Sequence, residues 1–300
     1  MTWMLYAVLA RMFWSFTGIS EKYLVDKKFK DPTVYLVIGF FVGLISLSII
    51  PFVDFHIPPP KFFLLNSIAA LFFFMATFFY VKVLQLEEIS RVNLWWNITP
   101  IFTFLIAWLV IDESLDAQQL LAFVFLVSGA VVTSLHVAGK KIVISRALFL
   151  MLICCVLYAC HDVIVRYISS QIPFSTIYII NAFLFAFFSL FFFLSRDFRK
   201  KFKEQKNSVG FPLNLVILII IVASLSRAGI VANLKAISLG PVALVGAVEG
   251  FQSLFVFVLA VLLSLFFPHI IKEELDRKNL LLKIGALILM MGGVIILSLD

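Results

Sequence analysis

The chain has 300 residues, 63% of them hydrophobic and 14% charged, with a net charge of +7 and a mean hydropathy of +1.10. Soluble domains average nearer 45–50% apolar and about 25% charged, so this chain cannot cover its core with polar surface and takes lipid as its main solvent. No basic face interleaved with stacking aromatics is present, which argues against nucleic acid and leaves the lipid bilayer as the expected large partner.

Apolar runs of about 20 residues, the length that crosses about 30 Å of hydrocarbon as helix, recur about ten times. The first, 3–24, lacks a basic start and runs past signal length, so it is expected to be retained. It carries Arg11, Trp14, Gly18 and Lys22 on one helical stripe. DKKFKD (26–31) separates it from 33–53, and HIPPPK (56–61) precedes the third run, 62–84. The fourth, 89–111, contains NLWWNITP (93–100), where Trp95, Trp96 and Asn97 sit some distance inside the span and Pro100 permits a bend. The acidic turn DESLDA (112–117) leads into the fifth, 117–137, and GKKIVISR (139–146) follows it.

The sixth run, 147–168, holds Cys154, Cys155 and Cys160, read as reduced packing residues because neighbours on one helix seldom pair. It also carries Tyr158, Asp162 and Arg166 on one stripe, with His161 beside Asp162. Next come 174–194, the basic segment SRDFRKKFKEQKN (195–207), and 212–236 with Arg227. The last two are 241–267, with Glu249 and Gln252, and 279–299. Helix is expected throughout, since an open strand edge in lipid leaves unpaired amides costing several kcal/mol each, and the short alternating segments of a barrel are absent. The 35 phenylalanines are read as mostly lipid-facing bulk.

The halves resemble each other. YVKVLQL (80–86) matches NLKAISL (233–239), DESLD (112–116) matches KEELD (272–276), and SGAVVTSL (128–135) matches GGVIILSL (292–299). Five spans per half is an odd number, so the second half threads the membrane in the opposite sense, an arrangement that places a binding site at the interface between repeats. The expectation is an all-α multi-pass protein of ten transmembrane helices, in two inverted five-helix repeats, 1–138 and 139–300, around a central cavity.

KYL (22–24), RYI (166–168), Pro100, DESL (112–115), EEL (273–275) and the glycine-bearing SGAVV (128–132) and GGVII (292–296) carry a family resemblance. The chain resembles the drug/metabolite transporter superfamily, in particular its EamA-like branch, although the family's Gly-Glu turn reads Asp112-Glu113 and Lys272-Glu273. The resemblance implies transport rather than catalysis, a helical fold over essentially the whole chain, and both termini inside. The loop lysines and arginines, concentrated in odd-numbered loops, point instead to both termini outside under the positive-inside rule, and that reading is preferred. The expected location is the cytoplasmic membrane. Ten spans can enclose a cavity alone, so a dimer is not required.

Ionisable residues at mid-span normally face a bundle interior or a wet cavity. Arg11, Asp162, Arg227 and Glu249 are therefore expected to converge on one chamber with Trp14, Trp95, Trp96, Asn97, Tyr158, His161 and Gln252, and Asn93, Thr99, Thr103 and Asn233 could orient a substrate. Lys22, Lys82, Arg91, Arg166 and Lys235 lie near span ends, where snorkelling to the headgroups explains them. An aromatic wall near a carboxylate suits an amine and arginines suit a carboxylate or phosphate, so the expected substrate is a small zwitterionic or amine-containing metabolite. Glu249 and Asp162 are the candidates for proton coupling. No cofactor or metal is expected, because HExxH, GxxxxGK[ST] and GxSxG are absent and four histidines with three clustered cysteines make a poor ligand set. Neighbouring His161 and Asp162, about 100° apart on a helix, are read as a poor catalytic dyad. The alternative is an intramembrane enzyme or lipid-handling protein using Arg11, Asp162 and His161 on a phosphate headgroup.

Overall fold

The computed structural model describes residues 2–87, 92, 95–134, 146–266 and 277–298, and all regular structure among them is helical. Helix α1 spans Thr2–Tyr23. Helix α2, Pro32–Val42, starts at an N-cap whose side chain accepts from the chain itself: Asp31 Oδ1 takes the Thr33 N–H at 2.8 Å, and Pro32 occupies the first turn where its missing N–H costs nothing. It tightens into a 3-10 segment, Gly43–Phe52. Helix α3 is Pro60–Leu86 and α4 is Thr99–Ile111.

The acidic turn then does two jobs. Asp112 adopts a left-handed backbone (φ 52°) and the Glu113 N–H reaches back to Ala107 O at 3.2 Å, closing α4. Asp116 and Gln119 exchange side-chain and backbone hydrogen bonds, a capping box that opens α5, Ala117–Ser134. In the second half, α6 is Arg146–Ile168 and α7 is Phe174–Leu190, extended by a 3-10 turn to Leu194. The basic segment expected as a loop is largely a helix, α8 (Arg196–Ser208), capped by Ser195. Helix α9 spans Leu213–Leu239, a short α10 spans Val242–Ala247, α11 follows at Gly250–Phe266, and α12 is Arg277–Ser298.

Among the described residues, six helical stretches are long and apolar enough to cross a bilayer: Pro32–Phe52, Pro60–Leu86, Arg146–Ile168, Phe174–Leu194, Leu213–Leu239 and Val242–Leu259. Three shorter apolar helices accompany them. Helix α1 is long enough but less apolar, since Arg11, Ser15, Thr17, Glu21 and Lys22 punctuate it.

Packing follows a pattern of pairs. Helix α1 lies along α9, α3 along α6, and α5 along α12, while α4 meets α6 and α1 meets α11. The α5–α12 approach needs glycine: a Cβ on Gly129 would collide with Met290, and one on Gly293 with Leu126 and the Ala122 carbonyl. Most of the described phenylalanines are partly or fully exposed, as the lipid-facing reading expects, but six are buried. Phe40, Phe74 and Phe185 are buried in one cluster, with Phe40 and Phe74 stacked at 5.3 Å and Phe40 5.1 Å from Phe185.

Candidate functional site

The centre is built where α1 crosses the break between α10 and α11. Helix bonding tightens there, with Glu249 N–H donating to Gly246 O at 2.9 Å, so residues 248–249 form a non-helical step. Glu249 Oε2 lies 3.0 Å from Arg11 Nε, and the two side chains are 4% and 1% exposed. The distance makes an ion pair, but the N–H direction falls short of a hydrogen bond. Arg11 spends Nη2 on the Val245 carbonyl at 3.2 Å, at the end of α10 where a cation is favoured. The Ser15 hydroxyl is shared between Arg11 O at 2.6 Å and Gln252 O at 3.1 Å, which ties α1 to the first turn of α11.

Aromatic rings surround this pair. The Arg11 guanidinium sits 4.9 Å from the Trp14 ring centre, and Gly229 on α9 leaves the room that the indole occupies. Tyr158 stands edge-on to Trp14 at 6.3 Å and to Trp96 at 5.2 Å. His161 lies 5.9 Å from the Tyr158 ring and 5.0 Å from Phe73, and its Nδ1 is hydrogen-bonded to Asp162 Oδ1 at 2.9 Å. Rotation about the side-chain torsions closes the helical separation of about 100° between these neighbours.

Beside this cluster is a cavity of about 100 Å³. Trp14, Phe73, Tyr80, Trp96 and Tyr158 supply its rings, and Thr17, Glu21, Thr77, Ser226 and Gln252 its polar groups. Glu21 accepts a hydrogen bond from Tyr35 at 3.2 Å and is the carboxylate that sequence reasoning passed over. It stands next to Lys22 in EKY, which looked like an interfacial anchor.

The structure brings together Arg11, Trp14, Trp96, Tyr158, His161, Asp162, Glu249 and Gln252. Trp95 is buried nearby with its carbonyl 3.5 Å from Cys155 Sγ, and Asn97 is turned to the Ala130 carbonyl of α5 at 2.8 Å. Arg227 is not in this group. It faces a separate cleft, because Ser226, about 100° away on the same helix, takes the face toward the cavity. Thr99, Thr103 and Asn233 are buried but do not line the cavity. Arg91, Asn93, Lys272 and Glu273 lie outside the described residues.

Two of the expected anchors do something else. Lys22 donates to the Leu84 and Glu87 carbonyls at the end of α3 and pairs with Asp26 at 2.8 Å. Arg166 donates to Ile237 O at the end of α9, at 3.1 Å, and pairs with Glu113 at 2.7 Å. Glu113 in turn accepts the Val242 N–H at 2.7 Å, capping α10 from the other half of the chain. Helix-end carbonyls with no intrahelical partner are stronger local attractors than a distant headgroup. Lys82 and Lys235 lie over the rings of Phe78 (3.9 Å) and Phe174 (4.6 Å).

These features define a class: a polytopic helical membrane protein with a buried ion pair at a broken helix, next to an aromatic cavity. Residues 1–135 match the model of the EamA-like transporter family, a shorter stretch than the essentially whole-chain resemblance read from the sequence. No curated protein matches the chain. Solved structures do match. One, described only as a crystal structure of a protein, is similar at 17% identity with a TM-score of 0.65, covering 98% of this chain and 94% of its own. At that identity the likeness speaks to the fold alone.

Proposed function

We propose that the protein is a secondary transporter that moves a small amine-bearing or zwitterionic metabolite by alternating access, with ten spans in two inverted repeats rocking about the Arg11–Glu249 centre. The observation that carries this reading is the buried ion pair bridging the two halves at a helix break beside an aromatic cavity. Broken helices at a repeat interface are where transporters hold substrate and coupling ion. The packing supports two-fold organisation. The contact of α1 with α9 is mirrored by that of α6 with α3. Lys22 on Leu84 O is mirrored by Arg166 on Ile237 O, at positions the internal repeat pairs. The irregular step at 97–98 has its counterpart at 248–249.

The chemistry favours an amine. Arg11 is neutralised by Glu249 and Asp162 is hydrogen-bonded to His161, so the carboxylate on the cavity wall is Glu21, among five rings whose faces attract a cation. A substrate carboxylate would be met by the amide of Gln252 and the hydroxyl of Tyr80. Protonation of Glu249 would release Arg11 from its partner, which is how a proton gradient could be coupled to rocking.

The test is uptake of labelled primary amines, amino acids and a neutral sugar into proteoliposomes carrying a trapped pH dye. Saturable amine uptake, lost in Glu21→Gln and accompanied by lumenal pH change that Glu249→Gln abolishes, is the expected result. Uptake indifferent to Glu21→Gln would remove the amine site, and pH change intact in both Glu249→Gln and Asp162→Asn would remove proton coupling through them.

A further inference from the structure

Arg227 is almost wholly buried, 9% exposed, and makes neither an ion pair nor a hydrogen bond among the described residues. Its neighbours are the rings of Phe40 and Phe185, each 5.7 Å away. The position is prepared for it: a Cβ on Gly43 would collide with the guanidinium, so the 3-10 extension of α2 leaves a notch that this group fills. Ring faces recover part of the cost of burying a cation, but an intramembrane charge without a counter-charge stays expensive and normally marks a functional site.

The guanidinium looks into a cleft of about 570 Å³ between α1, α7, α9 and that extension. The volume falls in the usual range for small-molecule sites, about 300–1,000 Å³. The cleft is distinct from the central cavity. Leu9 and Phe13 line it, two residues on either side of Arg11 and so about 200° around α1. Its wall is mostly apolar, interrupted near Arg227 by a hydroxyl pair, Ser46 with Tyr178 at 2.7 Å, and by Ser224. Lys235 and Phe174 are shared with an adjoining cleft of about 480 Å³, whose one carboxylate is the exposed Asp54. A second cation therefore stands between the outer cleft and the buried one.

We infer that this cleft binds an anionic amphiphile, a carboxylate or phosphate carried on an apolar body, with the anion on Arg227 and the body along Leu9, Phe13, Ile45 and Ile49. Arg227 offers a planar fork suited to either anion, the hydroxyls supply further donors, and Lys235 guides the charge inward. The inference concerns a different cavity from the transport reading and stands or falls without it.

The experiment uses the full-length protein in maltoside detergent and in neutral-lipid nanodiscs, with binding read by native mass spectrometry and thermal shift. The probes are phosphatidate, laurate, inorganic phosphate and a neutral diacylglycerol. Wild type is expected to bind phosphatidate or laurate saturably, with about a 10-fold or greater loss in Arg227→Met, the size of a charge-assisted hydrogen bond. Gly43→Ala, which pushes the guanidinium out of its notch, should also weaken binding. Phosphatidate bound without laurate identifies a membrane lipid as the source, and laurate bound as well identifies a wider range of organic anions. Without probe, Arg227→Met should unfold no earlier than wild type, because it removes an uncompensated charge. Equal affinity of wild type and both variants, equal binding of diacylglycerol, or a clearly destabilised Arg227→Met without probe would each overturn the inference.

Discussion

Glu249→Gln should be more damaging than any change of similar size on the surface. At 3.0 Å and an effective dielectric of about 20, the Arg11–Glu249 attraction is roughly 5–6 kcal/mol, set against desolvation of both ions. Removing the carboxylate cancels the attraction but leaves the Arg11 charge buried, with the Val245 carbonyl and the rings of Trp14 and Tyr158 as neutral neighbours. The expected loss is therefore about 3–5 kcal/mol. Arg11→Met has the converse defect, a buried carboxylate without its cation. The double variant Arg11→Met/Glu249→Leu removes both charges and should recover most of the loss, because a well-packed apolar pair is often as stable as the ion pair it replaces. Thermal unfolding in detergent of wild type, Arg11→Met, Glu249→Leu and the double variant closes the double-mutant cycle. Two single variants as stable as wild type, or a double variant whose loss is simply the sum, would refute a charged, coupled pair at this site.

Three further outcomes follow from the packing. Glu113→Ala removes both the partner of Arg166 and the cap of α10, and should cost about 1–3 kcal/mol by thermal shift, whereas Glu113→Gln should retain part of the capping contribution. Gly129→Val should destabilise by about 1–3 kcal/mol through overpacking against Met290, measured the same way. Asp31 is half-buried, which works to raise its pKa, but hydrogen bonds from Thr33 and Lys201 outweigh that and hold it below the ordinary carboxylate value. Lys201 is raised, chiefly by its bonds to Asp197 and Asp31. Their contact should therefore hold from mildly acidic to mildly alkaline pH. It is lost as pH falls below the unfolded carboxylate value of about 3.9 toward the lower folded one, and again as pH rises through the elevated lysine value. Hydrogen exchange at residues 27–31 should follow that profile, and a flat profile from pH 2 to 12 would contradict it.

Helix positions were legible because lipid enforces long apolar runs with polar breaks: the runs at 62–84 and 147–168 lie inside α3 and α6. That Arg11 and Glu249 would be buried was legible for the same reason. Their pairing was not, since it depends on α1 meeting the 248–249 step, which no local pattern encodes. Arg227 shows the limit most plainly. Periodicity gives the angle between Ser226 and Arg227 but not which of them faces the centre, because helix rotation is set by neighbours such as Gly43 and Trp14. Glu21 was missed because a carboxylate beside a lysine near a span end resembles a solvated pair, and only the approach of Tyr35 and Tyr80 encloses it. The inward phenylalanines were invisible because hydropathy does not separate a ring facing lipid from one facing protein.

Helix α8 is lashed to the segment after α1. Gln205 accepts the Lys30 N–H at 3.0 Å and donates to Lys28 O at 2.8 Å, and Lys201 bridges Asp31 at 3.1 Å. Its phenylalanines are committed to the protein, Phe198 and Phe202 packing on Phe193, while Arg196, Arg199 and Lys200 face outward. A splint fastened this way makes the first and second halves share one rigid edge. In the proposed alternating-access motion, tilting of α1 would either drag the basic helix with it or unfasten these three contacts, so whatever grips that helix from outside, an acidic bilayer surface included, would act as a brake on the bundle.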